Sequence, residues 1–509
     1  MLKLIKNSFE KFSERNAVNI NGTYYTYFEF SKFISKVRAY IDSNCSSSEK
    51  LVGIIAREST DIETYSSIYG ALFAGKGYVP INPANPLERN SSIIFQSEIK
   101  TIFCKNRDEK VESISKVTNA KIVYLDELKD EPINLTLPVV DDNEVAYVLF
   151  TSGSTGIPKG VPITRKNLSS FVEAFLALDY KVDENDRFLQ MFELTFDFSV
   201  VCYTVPLCIG ACFYTVPAEG VKFANVYMVM EENEITFACL VPSVLSYLKP
   251  YFAEIRLEKI KYSLFCGETL YQDIAKLWSA CIPNGTIINA YGPTEATVFC
   301  LTFDWNKFGS DKKTFNGGVC IGKPMKNIKA IIVDENLIPI PKNSLKKGEL
   351  CLCGSQLTPG YWKNPEKNNE AFFKINLDGI EEIYYRTGDL AFIDEDGDFM
   401  FAGRIDSQIK IQGFRIELGE IEHFARECAS NNNVAAIAYQ NSLGTMNIHL
   451  FVENYEGSLS KIINYLKTKV PEYMIPSGVS SLPFFPLNAN GKTDRKELLK
   501  IIQNQNNRH

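Results

Sequence analysis

The sequence predicts an α/β protein: a large N-terminal domain of layered α/β sheets with a small barrel-like subdomain, followed by a small, mobile α+β C-terminal domain. Three features lead there. Short apolar runs alternate with helix-length stretches through the first part of the chain, the signature of strands and helices in layers. After about residue 320 the pattern changes to short strands joined by tight turns. The chain has 509 residues, more than one hydrophobic core organises, so it divides into domains.

The elements follow in order. Leu2, Ile5, Phe9 and Phe12 recur at helical spacing, and no long apolar leader stretch accompanies them. Buried strands are expected in KLVGIIA (50–56), GYVPIN (77–82), IKTIFC (99–104) and AKIVYLD (120–126). The polar, proline-containing segment 130–144 reads as a connector. Strands resume with VAYVLF (145–150), ITFACLV (235–241), KYSLFCG (261–267) and GTIINAYG (285–292). The twenty residues 198–217 carry no charge and are long enough to span a membrane. Pro206, Gly210 and Pro217 interrupt them, however, so a buried helix followed by a core strand is the better reading. IKAIIVDE, GELCLCG, GDFMFAG and SQIKIQG make up the antiparallel part. The last unit has ELGEIEHFAREC as a helix and NIHLFVEN as a strand. The expected division is residues 1–403 for the large domain and 404–509 for the small one, without internal repeats.

Composition narrows the function. The chain is 45% hydrophobic and 23% charged, ordinary for a globular protein, and its net charge of -7 argues against a nucleic-acid surface. Thirteen cysteines lack paired spacing, which fits reduced thiols and a cytoplasmic location. The three histidines, His423, His449 and His509, all fall in the last unit. The large domain therefore cannot assemble a Ser-His or Cys-His nucleophile, which removes hydrolases as rivals.

TSGSTGIPKG (151–160) is the densest signal. It follows a strand, and its glycines leave backbone N–H groups open to an anion. Lys159 adds charge, and Ser152, Ser154 and Thr155 add hydroxyl donors, so phosphate is the expected partner rather than the loop being a plain surface turn. It is not a Walker-type loop, because Gly160 and not Ser or Thr follows Lys159.

LFTSGSTGIPKGV resembles the phosphate loop of adenylate-forming enzymes, the superfamily of acyl-CoA synthetases, luciferases and nonribosomal adenylation domains. NAYGPTEATV (289–298), YRTGDL (385–390), GRIDSQIKIQGFRIELGEIE (403–422) and NGKTDRKEL (490–498) continue the likeness in order along nearly the whole chain. LFCGETL and YGPTEATV look most like the stand-alone D-alanine–carrier protein ligases. The resemblance implies ATP and Mg²⁺ as cofactors. The nucleotide would be held by Thr151, Ser152, Gly153, Ser154, Thr155, Gly156 and Lys159 at its phosphates and by Asn289, Ala290, Tyr291 and Gly292 near adenine. Asp389 would take the ribose hydroxyls, with Arg404 nearby. Catalysis would fall to Lys492, to Thr294 at the α-phosphate and to Glu295, the Mg²⁺ ligand. Asp406 would be the hinge between domains, and Lys410 and Gly413 would line the tunnel for a pantetheine thiol.

Asp197 matches the carboxylate that pairs with a substrate ammonium, so an amino acid is implied. The side-chain pocket carried over by motif is Phe198, Val201, Cys239, Leu264, Cys266, Ala290, Val298 and Phe299. Its two phenylalanines favour a small apolar side chain. The chain ends 17 residues after Lys492, which leads to the expectation of a phosphopantetheinylated carrier protein acting in trans, with no nucleic acid and no membrane insertion. Two alternatives stay open: a nonribosomal-type enzyme for a larger apolar amino acid in a natural-product pathway, and a nucleotide-binding sensor without turnover.

Overall fold

The computed structural model describes the chain except residues 58–60, 154–155, 306–312, 378, 407, 430–432, 488–492 and 507–509. Two sheets dominate the large domain. A six-stranded sheet runs in the order Lys121–Tyr124, Thr101–Cys104, Leu51–Ile55, Gly77–Ile81, Val145–Thr151, Lys159–Thr164. It is parallel except for its last pair. A nine-stranded sheet has a parallel centre made of Thr286–Tyr291, Tyr262–Phe265, Phe237–Leu240, Arg187–Gln190, Cys212–Thr215 and Asn16–Ile20. Its edges are antiparallel. Parallel strands are covered on both faces, which is why they read as unbroken apolar runs such as LVGII, buried at every position. The helix Ile62–Phe73 is buried at nearly every position within the main core.

Residues 198–217 are a helix, Phe198–Ile209, and a strand, Cys212–Thr215. Pro206 lies inside the helix, and Gly210 ends it with φ 82°, a conformation that favours glycine. The part expected to be barrel-like is a five-stranded antiparallel sheet. Its long strand Ile380–Ile393 pairs with Gly348–Gly354 on one side and with both Phe372–Leu377 and Phe399–Arg404.

Beyond that sheet the chain forms a unit with its own core, including Ile416, Ile421, Leu450, Ile462 and Met474. It contains the hairpin Gln408–Ile411/Phe414–Glu417, a three-stranded sheet, and helices that include Leu418–Cys428 and Leu459–Lys467. Its hairpin and first helix face the carboxyl ends of the large domain's parallel strands, the edge where α/β sheets hold ligands.

Candidate functional site

TSGSTGIPK connects two antiparallel strands, with Thr151 paired to Lys159 and Phe150 to Gly160. Gly153 is required by space: a Cβ there would come within 2.1 Å of the Ile157 carbonyl oxygen. Three of the loop's described donors, Ser152, Gly153 and Lys159, are engaged by the small domain. The Gly153 N–H donates to Glu420 Oε2 at 3.1 Å, and Arg89 Nη1 donates to Glu420 Oε1 at 2.7 Å. The Ser152 hydroxyl donates to the Arg415 carbonyl at 2.9 Å and accepts from the Glu417 N–H at 3.1 Å. Lys159 Nζ lies 3.5 Å from Glu417 Oε1. Burial and then the Arg415 charge hold the Lys159 pKa below the usual lysine value. Gly156 faces the rings of Phe424 and His423. Ser154, Thr155 and Lys492 lie outside the described residues.

Glu295 is fully buried beside this loop. Arg415 Nη1 donates to both its carboxylate oxygens at 2.9 Å, and the Tyr361 hydroxyl donates at 2.7 Å. Burial alone would raise its pKa. The Arg415 charge, Tyr361 and Lys159 outweigh that and hold it at about 2. With Arg415 across both oxygens, a guanidinium stands in this arrangement where a cation would meet the carboxylate.

The other end of the cleft is open. A cavity of about 470 Å³ is lined by Tyr291, Gly292, Asp389, Arg404, Glu268 and Lys410, among others. Asp389 accepts from the Tyr291 hydroxyl and from Arg404. Arg404 continues to Asp406 through Nε at 2.7 Å and Nη2 at 2.8 Å. Asn289 and Ala290 both line the same cavity, and the Asn289 amide nitrogen donates to the carbonyls of Val319 at 3.2 Å and Cys320 at 2.8 Å.

Asp197 stands just before the helix Phe198–Ile209 and makes no cap with its side chain. Burial pushes its pKa up to about 6, opposed by a hydrogen bond with Thr294 and by the Lys410 charge. Thr294 thus faces this carboxylate and lines the same small pocket. Phe198, Val201, Cys239, Leu264, Cys266, Ala290, Val298 and Phe299 all join one continuous core. The Phe299 ring lies 5.1 Å from Phe171 and 6.4 Å from Phe198. It is turned there by Thr297 and Val298, two β-branched residues held at φ 56° and 71°, an uncommon strain of the kind that gathers at functional sites.

Sequence reasoning assigned no role to Arg415, Glu417, Glu420, Glu268, Arg89 or Tyr361. The first three stood inside a recognised stretch and Glu268 inside FCGETL, so their presence was visible and their partners were not. Arg89 and Tyr361 carried no local signal. Among the described residues no helix is long and apolar enough to cross a membrane.

A family model described as AMP-binding enzyme matches residues 5–362. Zwittermicin A synthase ZmaJ of Bacillus cereus is 31% identical over 517 aligned residues, covering 100% of this chain and 96% of that protein. Tyrocidine synthase 1 of Brevibacillus parabrevis is 32% identical over 97% of this chain, which spans only 44% of that longer protein. The Vibrio cholerae adenylation domain AlmE, solved in complex with glycyl-adenosine-5'-phosphate, shares the fold with a TM-score of 0.85. That likeness holds at 23% identity and covers 99% of this chain and 97% of that one.

Proposed function

The chain belongs to the AMP-binding enzyme family, and from that premise we propose that it activates a small amino acid as its adenylate and passes it to the phosphopantetheine thiol of a separate carrier protein. Asp197 is the observation that carries this reading. Asp197 is buried and lines a small pocket of about 60 Å³ with Thr294 and Phe196; a buried carboxylate calls for a cationic partner, and a substrate ammonium would supply one. The first half-reaction joins the amino-acid carboxylate to the α-phosphate of ATP and expels pyrophosphate. In the second, the thiol attacks the acyl carbon and AMP leaves.

The 470 Å³ cavity, with Tyr291 beside it and the Asp389 carboxylate facing it, suits an adenosine. Lys159 and the Gly153 N–H suit phosphates once Glu417 and Glu420 are withdrawn. Magnesium accompanies ATP and favours a carboxylate together with phosphate oxygens; Glu295 would serve when Arg415 is off it. Lys492, from the small domain, would neutralise the reacting groups in that other arrangement. In the present one the small domain is seated with Gly413 against the large domain, which suits the thiol step and a tunnel beside Lys410 and Gly413. The enclosed phenylalanines Phe198 and Phe299 favour a substrate with a small side chain. Kinship with ZmaJ and tyrocidine synthase 1 favours a product-assembly pathway as the destination of the thioester.

Amino-acid-dependent exchange of pyrophosphate into ATP, screened with glycine, the other common L-amino acids and several D-amino acids, tests this. Exchange with glycine or alanine is the expected outcome. Exchange with none of them overturns the amino-acid reading.

A further inference from the structure

Glu268 lies in the loop that follows the strand Tyr262–Phe265, at the carboxyl edge of the nine-stranded sheet. Its two carboxylate oxygens have different partners. Oε2 accepts from the Ser243 N–H at 2.8 Å, within the large domain. Oε1 accepts from the Gly413 N–H at 3.1 Å, on the small domain. The backbones meet closely at this point. A Cβ on Gly267 would come within 3.4 Å of the Gly413 Cα, and a Cβ on Gly413 would lie 2.8 Å from the Phe196 ring and 2.9 Å from Val241. Gly413 also holds φ 86°, so neither space nor conformation admits a side chain there.

We propose that Glu268 is a positioning residue for the thiol-transfer step, a latch with one oxygen anchored in the large domain and the other reserved for the Gly413 backbone. This rests on the function proposed above. A carboxylate is needed because both partners are N–H donors, and only an acid anion presents an acceptor to each. The device is reversible. Glu268 also lines the 470 Å³ cavity, so water can replace the Gly413 N–H when the small domain leaves. The charge is then never stranded in a dry interior. Ser243 keeps the side chain aimed in both arrangements. Seating Gly413 in turn fixes the neighbouring Lys410 and Gln412 at the cleft. Geometry held to a fraction of an ångström is what brings a thiol and an acyl carbon within reach of one another.

The test uses the full-length enzyme, the amino acid with the fastest exchange, and free pantetheine as the thiol. Glu268→Gln is isosteric. Its amide oxygen can keep the Ser243 bond, while its NH₂ would face the Gly413 N–H. The expected result is single-turnover transfer to pantetheine slowed by about tenfold or more beyond any loss in pyrophosphate exchange, on the scale of one lost positioning contact. Glu268→Asp keeps two acceptors and should restore part of the transfer rate. Equal losses in both half-reactions would reduce Glu268 to a structural residue, and unchanged transfer would overturn the latch. If the parent exchanges with no amino acid, the proposed function fails by itself. The latch is then read by tryptic cleavage after Lys410: faster in Glu268→Gln supports it, and equal rates overturn it.

Discussion

The two ends of the cleft are in opposite conditions. Around Tyr291, Asp389 and Arg404 the two units leave a cavity of about 470 Å³ between them, in which Asp389 is paired with Arg404. Around Ser152, Gly153, Lys159 and Glu295 the groups that would meet phosphate and metal are instead paired with the small domain, through Arg415, Glu417 and Glu420. Each small-domain charge complements the large-domain group it covers. A carboxylate takes the loop N–H that an anion would take, and a guanidinium takes the carboxylate that a cation would take. In the proposed reading the end at Gly153 and Glu295 would have two exclusive sets of partners, of which the small domain is one. Under the proposed function, one cleft serves two reactions by exchanging partners at that end.

The largest expected effect breaks that contrast from the side outside the described residues. Lys492→Ala should lower pyrophosphate exchange by about 3–4 kcal/mol, the usual cost of one donor to a developing charge. Thioester formation from supplied aminoacyl adenylate should change little. Both half-reactions are measured on the same preparation, and equal losses would mean that the cleft works in one arrangement.

Arg415→Ala breaks it from the other side. Removing the guanidinium leaves the buried Glu295 without its ion-pair partner when the small domain is seated, at a cost of up to about 3–5 kcal/mol. Transfer to pantetheine should fall by about two orders of magnitude or more, and exchange should fall far less. A deeper loss in exchange than in transfer would overturn the pairing described here.

The pH dependence sharpens the comparison. Asp197, raised to about 6 by burial, loses its charge as pH falls through that value. The KM for the amino acid should then climb by up to about tenfold per pH unit below 6, the limit for one proton, and stay flat above it. Glu295 is held at about 2 while Arg415 is seated on it, so transfer from supplied adenylate, which uses that arrangement, should show no step of its own from Glu295 across this range. Asp197→Asn should abolish the step in the amino-acid KM. A step that survives the substitution places the titration elsewhere.

The smallest effect concerns size. Phe299 packs on Phe171 and Phe198, so Phe299→Leu keeps the core filled while freeing some volume. The ratio of kcat/KM for leucine over alanine should rise by less than about tenfold, since one methylene of pocket space discriminates only weakly. No change in the ratio would put Phe299 outside the pocket.

Much of this was legible in the sequence because local rules decide it. The run 198–217 declares a helix and then a strand through its length, its missing charges, Pro206 and Gly210. The strand LVGII announces burial on both faces because every position is apolar. The glycine-rich loop is visible because close backbone approach needs glycine, and a Cβ added at Gly153 would lie 2.1 Å from the Ile157 carbonyl oxygen. Asp197 and Glu295 could be picked out by motif, but their contrasting pKa values could not. Both are buried, and the difference lies in whether Arg415 reaches them.

By itself, then, the sequence determined the elements, the layered class and the residue types available to the cleft. Periodicity, chain breakers and glycine spacing act within a few residues and leave their mark in order. Only the tertiary structure decided the pairings. Ser152 with Arg415 and Glu268 with Gly413 join positions 263 and 145 residues apart, and no local preference selects them. Such contacts come from the docking of two separately cored units, where buried charges must find partners across the interface and the seating of one domain on the other determines which partners are within reach.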